Sequence, residues 1–294
     1  MRNINISILG NCQIESWRRS LSALYAEVNI VASIPVSSSN DLRRLEDSVF
    51  DNSDYIILIE SLKSDFEEGL DSLDTKKLQK IVGVPSIFFR GFHPDSTYVY
   101  SQHGPVRSGL GKRGEWISSL VWFAYQNRIE PDELQALICH TVFRDMGYMN
   151  VYREDSEILK SEFELYGFDF EKWINPMVQM GRFMHGMNHP KISAIGLLAQ
   201  QMMTRFNFAP THSALFLDDA HIDPLSDVIW PTFAPIAENL GVKAFPFFTM
   251  NEKLYSISEY AKLSYSKWDL EDQSGKSFEM VPNSFQLTNY WKVT

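Results

Sequence analysis

The most chemically pointed residue in this 294-residue sequence is a thiol, Cys12, set between a short apolar run and a helical stripe. It stands in Gly10-Asn11-Cys12-Gln13. In an open parallel sheet ligands gather outside the carboxyl ends of the strands, which is where a loop leaving the first strand emerges. A cysteine at a helix amino terminus faces free backbone N–H groups and the positive end of the helix dipole. Its pKa is therefore expected to fall from ~8.5 toward neutrality. Gly10 permits a tight turn, and Asn11 and Gln13 offer amides to an oxyanion forming beside the sulfur. The alternative reading is an inert, buried cysteine. Cys139 lies inside an amphipathic pattern and is expected in the core.

Two imidazoles are candidates to serve that thiol. His93 follows an apolar run in Phe89-Arg90-Gly91-Phe92-His93-Pro94-Asp95 and is expected at the same sheet edge. The alternative is a strand-terminating turn in which Pro94 sets the backbone and Asp95 caps the next segment. His189 lies in Met184-His185-Gly186-Met187-Asn188-His189-Pro190. Proline favours the first helical position, so His189 is expected to be the cap residue, with Asn188 beside it. The dipole there disfavours an imidazolium and leaves a neutral ring able to accept a proton. The bland reading is a structural cap. His140, His212 and His221 lack such context, and Asp218, Asp219, His221 and Asp223 read as a solvated turn, with no metal expected.

A cationic, glycine-rich stretch completes the set. Residues 96–114 hold Arg107, Lys112 and Arg113 with no acid, together with His103 and Gly104, Gly109, Gly111 and Gly114. Guanidinium forks and flexible backbone amides suit phosphate oxygens, although the stretch matches neither the P-loop nor a dinucleotide fingerprint. A mobile surface loop is the alternative.

These residues need a scaffold, and the first hundred positions alternate strand and helix. Apolar runs at Ile4–Leu9, Val28–Ile34, Tyr55–Ile59 and Ser86–Phe89 predict four strands. Between them lie helical patterns: Ile14 to Tyr25, a helix with Leu42, Leu45 and Val49 on one face capped from the Ser37–Asn40 run, and Asp74 to Ile81. Beyond residue 115 helical spacing dominates. One stripe holds Trp116, Leu120 and Phe123, and another holds Leu134, Leu137, Ile138 and Val142. Ile158, Leu159 and Phe163 follow cap candidates Asp155 and Ser156 and stop at Gly167. A long helix is expected from Pro190 to Phe206. Ala214–Leu217 and Val242–Phe248 are candidate strands, and nothing periodic is read after about Asp269. The expected class is α/β: a doubly wound, SGNH- or Rossmann-like parallel core over residues 1–114, with a mainly helical portion over 115–294 packed on it.

Composition narrows the partners. With 27 Lys and Arg against 37 Asp and Glu the net charge is −10, which argues against a protein built to neutralise nucleic-acid phosphates. Two cysteines make no disulfide framework and suit a reducing compartment. No run approaches the ~20 apolar residues of a spanning helix, and none near the amino terminus resembles a signal peptide. A cytoplasmic location is expected.

Taken in order, Gly10-Asn11-Cys12-Gln13, Gly91-Phe92-His93-Pro94-Asp95, the helical segment from Glu115 to Tyr125, and Asn188-His189-Pro190 resemble the WcbI-type capsular polysaccharide biosynthesis family, over roughly residues 4–206. That resemblance implies a coenzyme A-dependent acetyltransferase, with Cys12 as its active-site cysteine and Asn188, His189 and Pro190 as its Asn-His-Pro motif. The expected reaction moves acetyl from acetyl-coenzyme A to a hydroxyl of a sugar, nucleotide-sugar or polysaccharide acceptor. Assignment of Arg107, Lys112 and Arg113 to coenzyme A phosphates is inferred from their charge alone. The rival readings are an SGNH-like thiol esterase or deacetylase and a non-catalytic protein that binds coenzyme A or a nucleotide sugar.

Overall fold

A computed structural model describes residues 3–36, 38–60, 67–71, 73–101, 104–111, 115–272 and 278–280. The chain packs into two compact units, one from residues 1–88 and 157–226, the other from 89–156 and 227–294. The expected boundary at 114/115 falls inside the first segment of the second unit.

The first unit is built on four parallel strands: β1 (Ile4–Gly10), β2 (Val28–Pro35), β3 (Tyr55–Glu60) and β4 (Ile81–Pro85). Their spatial order is β2-β1-β3-β4, with Ile8 opposite Ile57 and Ile57 opposite Val82. Central β1 and β3 are buried on both faces, so even Ser7 of the Asn-Ile-Ser-Ile alternation is enclosed. Its hydroxyl is satisfied by that of Ser53 at 2.7 Å. Edge strand β2 instead alternates partly buried with exposed residues.

The fourth strand lies five residues earlier than its apolar run suggested. Ile81, expected to end a helix, opens β4, and Pro85 closes the ladder opposite Glu60. Proline has no N–H to continue the pairing, so Ser86–Phe89 runs on as a loop beyond the sheet edge. The helices that cover the sheet are α1 (Ile14–Leu24), α2 (Ser39–Arg43), α3 (Asp47–Asp51), α4 (Glu67–Asp71) and α5 (Thr75–Leu78). Where one helix was expected through Leu42, Leu45 and Val49, two short ones form. The side chain of Ser38 caps the first, while Ser37 lies outside the described residues. The apolar face survives the break: Leu42 packs in one cluster with Leu9, Phe50 and Leu58, with Leu45 and Val49 against it.

In the second unit α6 (Ser119–Gln126) and α7 (His140–Asp145) follow in order, with a 3-10 turn at Pro131–Leu137 between them. The expected single helix through Val142 is therefore broken. Cys139, expected in the core, is the exposed residue that precedes α7. Asp155 and Ser156 lie inside α8 (Val151–Leu165) and do not cap it. Asp155 is enclosed and pairs with Arg90, whose Nη2 is 2.8 Å from its Oδ1 and whose backbone N–H also donates to it. The first unit adds α9 (Phe170–Met180) and α10 (Ile192–Arg205), the latter burying Ile192, Ile195, Ala199 and Met202. Ala214–Leu217, expected as a strand, lies in a 3-10 helix (Ala214–Ala220), with Ala214 and Leu217 packed against Gly196 of α10. The chain continues with α11 (Ala234–Leu240) and α12 (Ile257–Asp272), so the region after Asp269 begins inside a helix. Of the expected strand at Val242–Phe248 only its end forms, as Phe248–Met250 between Val228–Ile229 and Lys253–Tyr255. An aromatic core holds the second unit, with Phe248 stacked on Tyr260 at 4.0 Å and Trp230 edge-on to both.

Candidate active site

The thiol loop begins where β1 runs out. A Cβ on Gly10 would lie 2.6 Å from Cβ of Ile59, so only glycine lets the two central strands end side by side there. Asn11 closes the turn twice: its carbonyl accepts the N–H of Ile14 at 3.2 Å, and its Oδ1 accepts that of Gln13 at 3.0 Å. Its Nδ2 donates to Ser86 Oγ at 2.7 Å. Cys12 stands at the apex and is exposed. Its exposure departs from the buried placement of the alternative reading.

The shift at Cys12 runs opposite to the expected fall toward neutrality. Although the residue reaches solvent, the protein around its sulfur partly desolvates the thiolate and pushes the Cys12 pKa up, and its own backbone amide offsets only part of that. Desolvation outweighs that backbone bond, so the thiolate is disfavoured at Cys12.

Gln13 is wholly buried, and its side chain is a brace. Nε2 donates to the carbonyls of Ile87 at 2.8 Å and Asn188 at 3.2 Å, while Oε1 accepts the N–H of Ile87 at 3.1 Å. With both amide hydrogens committed, Gln13 positions the loop and gives nothing to an oxyanion. It also brings together two segments the sequence nominated separately, the Cys12 loop and the Asn188-His189 turn.

That turn differs from expectation. His189 and Pro190 pair antiparallel with Met184–Gly186, forming a tight hairpin with Asn188 at its tip, and α10 begins only at Ile192. His189 is therefore not a helix cap. Carboxylates from a later segment take that role: Asp223 Oδ2 accepts the N–H of Ile192 at 2.9 Å, and Asp218 Oδ1 accepts that of Ser193 at 3.1 Å. These aspartates, expected in a solvated turn, are partly enclosed and structural.

Asp223 also holds His185. Its Oδ2 is 2.8 Å from His185 Nε2, and its Oδ1 accepts the N–H of Leu225 at 3.0 Å. Burial pushes the Asp223 carboxyl up, but the His185 bond and charge, with the two backbone amides, leave it below the ordinary carboxylate range. An ionised Asp223 fixes the His185 ring with Nε2 as donor, one strand away from His189.

The second unit holds the remaining nominated residues. The ring of His93 is wholly buried, with Nδ1 2.9 Å from the carbonyl of Pro231, and its backbone accepts the N–H of Ser96. A turn forms here, but it follows a loop and not a strand, since β4 has already ended at Pro85. Asp95 is likewise enclosed, Trp230 Nε1 donating to its Oδ1 at 3.2 Å. Arg107 pairs with Glu115 at 2.9 Å. Its loop is docked on α12: Gly109 N donates to Ser264 Oγ at 3.0 Å, Trp268 Nε1 to the Arg107 carbonyl at 3.0 Å, and a Cβ on Gly109 would strike Leu263. Gly109 thus serves helix packing. Lys112, Arg113, His103 and Gly114 lie outside the described residues. Among the described residues no cluster of three metal-ligating side chains occurs, and no helix is long and apolar enough to cross a membrane.

A family model for the polysaccharide biosynthesis enzyme WcbI matches residues 5–211, more than half of the chain and every segment of the Cys12 loop and the Asn188 hairpin. The chain belongs to the WcbI family. It is therefore a polysaccharide biosynthesis enzyme. The fold agrees: a solved structure of WcbI, native protein without a disulfide bond between coenzyme A and one of its cysteines, matches with a TM-score of 0.63. The match covers 92% of this chain and 91% of that one at 14% identity, and likeness at that identity speaks for the fold alone. A comparison with curated proteins returns no match. Within this WcbI family fold, sequence reading missed the His185–Asp223 pair. Its partners are 38 residues apart, a separation no local motif encodes, and the only local signal was an unexplained run of acids.

Proposed function

We propose that this WcbI family enzyme transfers acetyl from acetyl-coenzyme A to a hydroxyl of a sugar acceptor during surface polysaccharide assembly in the cytoplasm. The observation that carries the reading is an exposed Cys12 at the carboxyl edge of a parallel sheet, braced through Gln13 to the Asn188-His189 hairpin. Coenzyme A and a cysteine are both named for the solved WcbI structure. Carried over to this chain, they point to Cys12.

The chemistry divides into two steps. In the first, His189 takes the proton from Cys12, the sulfur attacks the thioester carbonyl carbon, and the carbon–sulfur bond to coenzyme A breaks. The proton passes to the departing thiolate. In the second, the base takes the proton of the sugar hydroxyl, its oxygen attacks the acyl carbon, the Cys12–carbon bond breaks, and the base returns the proton to the departing Cys12 sulfur. The raised pKa of Cys12 makes that base necessary. Gly10 and Asn11 are assigned to the oxyanion, and Asn188 to orienting the hairpin. Enclosed His93 is assigned to its turn and not to proton transfer. Arg107, Lys112 and Arg113 are assigned to the donor's phosphates. The Arg107–Glu115 pair is exposed at the surface, where a single ion pair contributes only ~0–1 kcal/mol and yields readily to a phosphate.

Peptide mass spectrometry after mixing with acetyl-coenzyme A tests the covalent step. The expected result is acetyl on the Cys12 peptide, with neither adduct nor transfer in Cys12→Ser. Undiminished transfer by Cys12→Ser would overturn the covalent role. Failure of calorimetry to detect coenzyme A binding would overturn the whole reading.

A further inference from the structure

The hairpin that carries His189 has two sides. Residues paired across a ladder point to the same side, so His189 shares its side with its partner Gly186. His185, one residue earlier, points to the other. Its ring is buried there, with Nε2 2.8 Å from Asp223 Oδ2. A side chain on that side does not share in the chemistry of His189, but it sets where the hairpin sits.

Asp223 is the fixed end of the contact. Its Oδ1 accepts the N–H of Leu225 at 3.0 Å, and Pro224 between them has its own φ locked by its ring. Ser226 Oγ donates to the Asp223 carbonyl at 3.0 Å, and Asp223 Oδ2 also accepts the N–H of Ile192, which opens α10, at 2.9 Å. One residue back, the Ile222 carbonyl accepts Nη1 of Arg19 in α1 at 2.9 Å. Arg19 Nε donates in turn to Glu15 Oε1, in the first turn of that helix, at 2.7 Å.

These bonds close a circuit. It runs from Cys12 along α1 to Arg19, through Ile222 and Asp223 to His185 in the hairpin, and from Asn188 back through Gln13 to the thiol loop. Held at its tip by the Gln13 bond alone, the hairpin could rock about its stem. The His185 bond is a second attachment on the opposite side. We propose that His185 is a positioning residue for transfer: through Asp223 it holds the hairpin, and with it His189, at a fixed distance from Cys12. The proposal rests on the acetyltransferase reading for what is positioned.

The donors and acceptors dictate the variants. Asp223 serves three N–H groups with two oxygens that only accept, whereas a carboxamide in Asp223→Asn must turn its NH2 toward at least one of those donors. His185 supplies a single N–H, which the side-chain amide in His185→Gln can also supply.

Steady-state acetyl transfer and hydrogen exchange read by mass spectrometry, both with the full chain, test the proposal. His185→Ala is expected to lower kcat ~10–100-fold, the cost of a misplaced reacting group, with KM for acetyl-coenzyme A and the stoichiometry of coenzyme A binding unchanged. His185→Gln is expected to stay within about fivefold of wild type, the scale of one altered hydrogen bond. Asp223→Asn should fall at least as far as His185→Ala, and combining the two should cost nothing more, because both act along one path. Exchange should quicken in His185→Ala in peptides covering residues 10–14 and 184–190 and stay unchanged over β3, a pattern that general loss of folding does not give. Wild-type kcat in His185→Ala or Asp223→Asn, equal losses in His185→Ala and His185→Gln, additive losses, or quickened exchange in the hairpin alone overturns the proposal. If the wild-type chain transfers no acetyl while His185 still governs exchange in the Cys12 loop, the acetyltransferase reading falls and the hairpin clamp stands. If transfer proceeds and His185→Ala leaves it unaffected, only the clamp falls.

Discussion

Gln13 donates its side-chain amide to the carbonyl of Asn188, 175 residues further along the chain, at 3.2 Å. Because the same amide also holds both backbone groups of Ile87, one buried side chain joins the thiol loop, the loop after β4 and the hairpin tip. Gln13→Ala strands the Ile87 N–H and carbonyl, each costing ~1–3 kcal/mol when buried without a partner. The expected loss is ~2–4 kcal/mol in urea unfolding, together with a fall in any Cys12-dependent transfer. A variant within about 0.5 kcal/mol of wild type, the scatter of ordinary surface substitutions, would show that the brace is dispensable.

How Cys12 titrates decides whether the loop alone activates it. Burial raises its pKa, so in a Cys139→Ser background the iodoacetamide rate should climb to a midpoint above that of an ordinary thiol, ~8.5. His189→Gln should leave this midpoint nearly unchanged while suppressing transfer near neutral pH, because the base acts on the thiol only during reaction. Rapid, pH-independent alkylation between about pH 6 and pH 8 would instead mark a preformed thiolate and remove the need for a base.

The contrast between the helix-terminus argument and the observed thiol shows where sequence was informative. Continuous apolar runs such as Tyr55–Ile59 announce a doubly covered strand, because period and composition are local properties. The position of Cys12 after such a strand was legible for the same reason. Its solvation was not, since that depends on which distant segments pack around the sulfur. Nor was the ladder of β4 legible: Ile87 and Phe89 are as apolar as Val82 and Val84, and only pairing with β3, ending at Pro85, separates strand from loop. Asp223 read as turn chemistry because its partners, His185 and the first N–H of α10, meet it only in the folded chain.

In the second unit Arg90 and Asp155 form a bidentate pair, reinforced by the Arg90 backbone N–H, with the Asp155 side chain 3% exposed. Removing one partner of such a pair leaves a buried charge and typically costs ~3–5 kcal/mol. Asp155→Ala should therefore fall in that range in urea unfolding, and the double variant Arg90→Met, Asp155→Leu should recover most of it. Equal losses in single and double variants would mean that packing around α8, and not the charge, sets the cost.

Asp95 gives a pH signature that isolates a single group. Burial raises its carboxyl to about 6, against the opposing bonds from Ser118 and Trp230. A folded pKa above the unfolded ~3.9 means that the folded state binds the proton more tightly. The stabilisation is complete below about pH 4 and is lost as pH rises through 6, amounting to ~3 kcal/mol. Asp95→Asn keeps an acceptor for the Trp230 N–H but carries no charge to desolvate. The variant should thus match wild type at about pH 4 and exceed it by ~2–3 kcal/mol near pH 7.5. Other titrating groups, among them the depressed Glu15, move both proteins alike and cancel in the difference. A pH-independent difference between the two proteins would mean that Asp95 titrates alike folded and unfolded.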